Sequence, residues 1–337
     1  MFDRRQFITT LSQLSAATLF QLRGNAEETP GKKDRLGTLL PTRKLGRTGE
    51  EITMLGIGGW HFGEGEDKDG EAILEAALES GVRFIDCAAV YQDGGSQRRM
   101  GRIVTPKYRD VVFLMTKSMG KDAKSAQTEL DTALESMKTD HLDLWQVHSL
   151  ESPEDVDRRI ENGVLDVFLK AKESGKVRYI GFTGHQNYRA HLRMLERTRE
   201  TDPFDTCQMP INVLDPSYNS FIIHILPKLV ERNIGVIAMK TLACGRFFDK
   251  DLQIGNKPKQ ENPEQQVVPG RVTLQEALHF VWSLPVSVIV SGLFSAREAK
   301  ENARLARSWT AMDALQREAL ISKVADMAGN RIEWYKE

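Results

Sequence analysis

The 337-residue chain has little of what marks several protein classes. Its only cysteines are Cys87, Cys207 and Cys244, far apart in the sequence. They form neither a CxxC redox pair nor a metal ribbon, and an odd count cannot close a full disulfide framework. No apolar run approaches the ~20 residues that a membrane-spanning helix needs. Neither sign of charge dominates. The 46 Lys and Arg against 47 Asp and Glu leave a net charge of −1. That is no electrostatic footprint for nucleic acid, and there is no acidic tail for a basic partner. What is present is 40% hydrophobic and 28% charged side chains, which excludes a disordered or fibrous chain and allows a sizeable core. The length admits two domains of about 150 residues or one α/β barrel of roughly 250 residues with insertions.

Residues 1–26 differ from the rest. Arg4 and Arg5 precede Phe7-Ile8, a mildly apolar stretch runs from Thr9 to Leu22, and Gly24-Asn25-Ala26 offers small residues to a peptidase. This resembles a twin-arginine export signal, with cleavage expected after Ala26 and a periplasmic destination. If the signal does not function, the chain stays cytoplasmic. Residues 27–37 read as a linker, 38–327 as the folded domain and 328–337 as a C-terminal tail.

Within the domain, strands and helices alternate. Apolar runs end near Gly58, Asp86, Lys117, His148, Thr183, Ile211, Met239 and Val290. Between them lie segments with apolar residues at helical spacing, such as Glu71–Ser80, Ser125–Lys138 with Ser125 as cap, and Ser152–Ser174 with Pro153 at the first helical position. Strands apolar throughout suit a parallel sheet covered on both faces. Eight such units without a shift in composition predict a single-domain (β/α)8 barrel, in preference to a doubly wound sheet. The irregular stretch Gly245–Gly270 is long enough for a lid or binding loop.

Reactive groups of a parallel barrel sit where its strands end. Strand 2 ends in Asp86 with Tyr91 five residues on, strand 3 in Lys117, strand 4 in His148, strand 5 in Thr183, strand 6 in Gln208 and strand 7 in Lys240. Asp, Tyr, Lys and His on three adjacent strands have a legible chemistry. A tyrosine alone, with a pKa of about 10, is a poor acid at neutral pH. A lysine ammonium ~4 Å away would favour the phenolate by about 4 kcal/mol at an effective dielectric of ~20. That is roughly three pKa units, which would bring Tyr91 near 7. Asp86 would hold Lys117, and His148 could bond the same substrate oxygen. This set delivers a proton but no electrons, so a bound hydride donor must complete it.

These residues resemble the aldo-keto reductase family over about Lys44–Asn302. Phe84-Ile85-Asp86-Cys87-Ala88 with Tyr91 and Gly94–Gly101, then Lys117, His148, Arg178–Gly184 and Val290–Asn302 fall in the family's order. The resemblance implies reduction of an aldehyde or ketone with NADP(H) or NAD(H). It makes Tyr91 the proton donor, Lys117 and Asp86 its tuning pair, and His148 the group orienting the carbonyl. It implies that Thr183 and Gln208 hold the nicotinamide carboxamide, with Met239 where an aromatic ring commonly stacks. Lys240, Thr241, Leu242 and Gly245 after strand 7, and Gly292, Ser295, Arg297, Glu301 and Asn302 after strand 8, would clasp the dinucleotide. Arg297 would favour a 2′-phosphate and Glu298 oppose it, so the expected preference for NADP(H) is only about tenfold. The partner implied is a small carbonyl compound. Three scattered cysteines cannot supply an iron–sulfur module.

Two rivals come from other classes. One is the same barrel used as a nucleotide sensor with little turnover, against which the complete Asp86, Tyr91, Lys117 and His148 set argues. The other is a metal hydrolase using His61, His148, His185 and His224. It lacks a His-x-His strand pair and clustered carboxylates, so no metal site is expected.

Overall fold

The computed structural model describes residues 31–62, 64–248, 260 and 262–336. The expected export segment and residues 249–259 of the expected lid lie outside the described residues. Eight strands close a parallel barrel: β1 (Leu55–Gly58), β2 (Phe84–Asp86), β3 (Phe113–Ser118), β4 (Leu142–Val147), β5 (Val177–Thr183), β6 (Thr206–Pro210), β7 (Gly235–Met239) and β8 (Val288–Gly292). They lie in chain order, and β8 pairs with β1, Ile289 opposite Leu55 and Gly292 opposite Gly58. Every residue of β3 and β4 is buried, as expected of strands covered on both faces.

One apolar run serves two sheets. Ile52–Gly58 reads as a single strand, but Glu51–Thr53 pairs antiparallel with Thr42–Lys44, and only Leu55–Gly58 enters the barrel. Between them the Met54 carbonyl accepts from the Trp282 indole at 2.8 Å and from the Ile289 amide at 3.1 Å. Leu45 and Ile52 of this hairpin pack with Phe84, Phe113, Met115, Leu144 and Ile237. The Phe84 and Phe113 rings stack at 5.2 Å. This layer fills the strand-start end of the barrel, which leaves the opposite end for function.

Helices follow the strands, among them α1 (Asp67–Glu79), α2 (Gly95–Arg99), α3 (Ala123–Ser136), α4 (Pro153–Glu161), α5 (Val164–Glu173), α6 (Tyr188–Arg197), α7 (Leu226–Glu231), α8 (Leu274–Trp282), α9 (Ala296–Arg307) and α10 (Ala314–Val324). Two expectations are corrected. The helix expected from Ser125 starts at Ala123, because Asp122 is the cap. Its carboxylate accepts from the Ser125 amide at 2.8 Å and the Ser125 hydroxyl accepts in return from the Asp122 amide at 3.2 Å. The single helix expected after Ser152 is broken into α4 and α5 at Gly163, whose φ of +77° is left-handed. Ser152 caps the first half and Pro153 opens it, as expected.

Residues 328–336 are packed onto the strand-end face. Glu333, Tyr335 and Lys336 are buried. The Lys336 ammonium lies 2.6 Å from Asp215 and 2.8 Å from Glu333, and donates to the Tyr218 carbonyl at 3.0 Å. The Asn212 amide, in the loop after β6, donates to Glu333 and to the Tyr335 hydroxyl.

Candidate active site

Lys117, the fifth of six residues in β3, is 1% exposed and so cannot hold its charge without partners. It has three. Its ammonium donates to the Asp86 carboxylate at the end of β2, to the Cys87 carbonyl at 2.8 Å and to the Tyr91 hydroxyl at 3.1 Å. Tyr91 sits on the loop after β2. Its amide donates to Ala88, and Gln92 next to it donates to the Trp60 carbonyl at 2.8 Å. The Trp60 ring meets Tyr91 edge-on at 5.3 Å, and the His148 ring meets it from another side at 5.9 Å. His148 directly follows β4. Its loop is pinned by Arg159 of α4, which donates to the carbonyls of His148 at 2.9 Å and Ser149 at 3.2 Å. Strand ends thus bring Asp86, Tyr91, Lys117 and His148 to one point, as their spacing predicts.

The protonation states differ in one respect from the expectation. Burial, then the Asp86 charge, holds the Tyr91 phenol well above its ordinary value, not near 7. Lys117 is closer than expected, at 3.1 Å, but its charge is matched by Asp86, so the phenol faces a neutral pair rather than a lone cation. Burial also pushes the Asp86 carboxyl up, while Lys117 and a bond from the Gln208 side chain pull it down. Burial, with Lys117 and other cations near, holds His148 well below the usual imidazole range. The site at rest therefore carries a protonated phenol and a neutral imidazole.

Asp86 and Tyr91 line a cleft of about 870 Å³, open to solvent, with Lys117 buried behind them and His148 against the Tyr91 ring. Of the residues expected at the cofactor, Gln208, Met239, Lys240, Thr241, Leu242, Gly245 and Gly292 line it. Gly292 has a steric reason: a Cβ there would lie 2.2 Å from Nδ1 of His61. Thr183 is buried at the end of β5, whose neighbour in the sheet is Gln208. Among the described residues the buried Gln208 Oε1 has no partner, which leaves it able to accept from an amide donor. That atom, and the glycine-flanked loops after β7 and β8, fit a nicotinamide carboxamide and a dinucleotide chain.

Other residues expected at the cofactor do structural work. Ser295 caps α9 by accepting from the Glu298 amide at 3.2 Å. Glu301 pairs with Arg304 at 3.0 Å. Asn302 donates to Ser291 at 3.1 Å and accepts from Gln260 at 2.8 Å, so both ends of its amide are used. Arg297 is exposed, whereas Glu298 is buried and lines the cleft, its carboxylate accepting from the Phe294 amide at 2.7 Å. Phe248 and Gln260 on the cleft fall in the Gly245–Gly270 stretch expected as a lid or binding loop. Sequence reasoning did not single out Cys244 on the cleft or Arg159 beneath His148. No local signal marks them, because each reaches the site from a loop or from a helix facing the barrel.

A family model described as the aldo/keto reductase family matches residues 54–321. The chain belongs to that family. The oxidoreductase YqkF of Bacillus subtilis is 22% identical over 294 residues, 79% of this chain and 91% of that protein. The L-galactose dehydrogenase of Arabidopsis thaliana is 25% identical over 226 residues, covering 63% and 69%. Among solved structures, the holo form of aldo-keto reductase AKR11C1 from Bacillus halodurans superposes with a TM-score of 0.67. It is 20% identical and covers 85% of this chain and 96% of that one. Aldo-keto reductase membership brings nicotinamide-dependent carbonyl chemistry with it. Among the described residues no helix is long and apolar enough to cross a membrane.

Proposed function

We propose that the protein is a carbonyl reductase in which Tyr91 donates the proton. The observation that carries this is the contact of the Lys117 ammonium with the Tyr91 hydroxyl, made while Lys117 is paired to Asp86 and while His148 stands against the same phenol. A bound reduced nicotinamide supplies the hydride that side chains lack. The substrate carbonyl accepts hydrogen bonds from the Tyr91 hydroxyl and from neutral His148. As negative charge grows on the oxygen, the Tyr91 proton moves to it. The tyrosinate left behind is stabilised by Lys117 at 3.1 Å. The raised phenol pKa keeps the donor protonated at rest, so the proton leaves only when the alkoxide forms. Gln208, Thr183 and Met239 would hold and face the nicotinamide.

The nucleotide preference follows from which charge faces the cleft. Glu298 lines it, whereas the exposed Arg297 does not, although its charge is felt at Glu298, so the cation that would favour a 2′-phosphate stands beside an acid on the cleft wall. We propose that NAD(H) binds at least as tightly as NADP(H), with Glu298 accepting from the ribose diol. Fluorescence titration with NADH and NADPH decides this. A tenfold advantage for NADPH that disappears in Arg297→Ala would restore the reading from sequence. In Tyr91→Phe, carbonyl reduction should fall by about 10³-fold or more, with nucleotide affinity held within a few-fold. A large loss of nucleotide binding would instead make Tyr91 a cofactor ligand.

A further inference from the structure

Most cations around the strand-end face are committed. Lys117 pairs with Asp86, Arg159 with Asp155 at 3.0 Å, and Lys336 with Asp215 and Glu333. Lys240 differs. It follows β7 directly and lines the cleft together with Trp60, Tyr91 and Gln208. Among the described residues no carboxylate lies within 4.0 Å of its ammonium. Its ammonium lies over the face of the Tyr335 ring, whose centroid is 5.7 Å from Nζ. The nearby acids are occupied: Asp86 by Lys117, and Glu333 and Asp215 by Lys336 and Asn212.

Lys240 has φ of +58°, the left-handed region that a β-carbon disfavours. Strain of this kind persists where the surroundings over-determine it, and it clusters at ligand sites. The positive charge is also felt at His61, His148 and His185, which follow β1, β4 and β5 and are held towards the neutral form, mainly by burial. The ammonium therefore stands over the barrel mouth, amid neutral imidazoles and aromatic rings, with no carboxylate within 4.0 Å among the described residues; Asp86, which also feels its charge, is paired to Lys117.

We infer that Lys240 is a substrate-recognition residue, and that the preferred carbonyl substrate carries a carboxylate which pairs with its ammonium while the carbonyl lies at Tyr91 and His148. The pairing is a charge-assisted contact in a half-buried place, where screening is weaker than on the surface. The inference rests on the carbonyl-reductase reading and refines it from any aldehyde or ketone to an oxo acid.

The test compares 4-carboxybenzaldehyde with its methyl ester at low salt, with saturating reduced nucleotide. In the wild type, kcat/KM for the acid should exceed that for the ester by about tenfold or more, chiefly through KM. The ratio should fall towards one in Lys240→Met and recover in Lys240→Arg. Using the ratio cancels any general damage to fold or cofactor binding. If Lys240 serves the dinucleotide phosphates instead, acid and ester decline together and the ratio persists, which overturns the inference. A wild-type ratio near one also overturns it, while turnover of the ester leaves the reductase reading intact. A second readout does not need turnover. With oxidised nucleotide present, 4-(hydroxymethyl)benzoate should quench tryptophan fluorescence, since Trp60 lies 5.3 Å from Tyr91, and Lys240→Met should abolish the response. Lys240-dependent binding without reduction of either aldehyde would support the anion subsite and count against the reductase reading alone.

Discussion

Tyr91 and His148 stand edge to face 5.9 Å apart, and burial acts on both in a way that fixes their protons. The phenol is held above its ordinary value and the imidazole below its own, so the resting pair is TyrOH and neutral His across the neutral range. The sign of the pH dependence follows. The imidazole must lose neutrality on the acid side for a limb to appear, and its lowered pKa moves that limb well below the usual 6.5. The phenol must ionise for a limb on the basic side, and its raised pKa moves that limb above 10. We therefore predict kcat for reduction flat to within about twofold between about pH 6 and pH 9. A limb centred near 6.5 that His148→Gln removes would show that His148 titrates in the working range. That His148 would meet Tyr91 at one end of the barrel was legible from its strand-end position and from the place of Tyr91 five residues after Asp86. Their protonation was not, because the partition of the Lys117 charge between Asp86 and Tyr91 depends on distances that spacing does not give.

Helices and loops place these side chains, and here sequence was a partial guide. The strand and helix alternation was readable because apolar runs and helical spacing are local. The break at Gly163 and the division at Met54 depend on partners far away: Met54 is held by Trp282 and Ile289. The segment 328–336 is the largest surprise. As sequence it is a short polar tail, yet it buries an ion triad with the loop after β6 and puts Tyr335 under Lys240. Lys336 is 1% exposed, and without it two carboxylates, Asp215 and Glu333, would remain buried and uncompensated. Lys336→Met should destabilise the protein by about 3–5 kcal/mol, measured by urea unfolding. A change under about 1 kcal/mol would mean that the tail detaches at little cost. The same variant should loosen the wall that holds Tyr335 against Lys240, so its KM for a carboxylated aldehyde should rise even where the fold survives.

At the scale of the whole molecule, a barrel filled at one end and open at the other confines the chemistry to a single cleft. The hairpin of Thr42–Lys44 and Glu51–Thr53 covers the strand starts with Leu45 and Ile52, and at the strand ends Asp86, Tyr91 and Lys240 line about 870 Å³ of open space, with Lys117 and His148 against Tyr91. The eightfold alternation and the family's motifs made this architecture readable in advance, and the closed order of β1 to β8 bears it out. What spacing could not supply was which face of α9 meets the cleft, since Arg297 and Glu298 are neighbours in sequence and only burial separates them. We propose that this cleft turns over a carbonyl with Tyr91 as the proton donor, rather than merely holding a nucleotide. A single-turnover experiment tests it most directly: protein is loaded with one equivalent of reduced nicotinamide and mixed with excess 4-carboxybenzaldehyde, and nucleotide oxidation and alcohol formation are followed together. The account predicts that wild type forms one alcohol for each nucleotide oxidised and that Tyr91→Phe, equally loaded, forms almost none. Wild-type protein that keeps its nucleotide reduced in the presence of the aldehyde and its methyl ester, or a Tyr91→Phe variant that reacts at the wild-type rate, would contradict it.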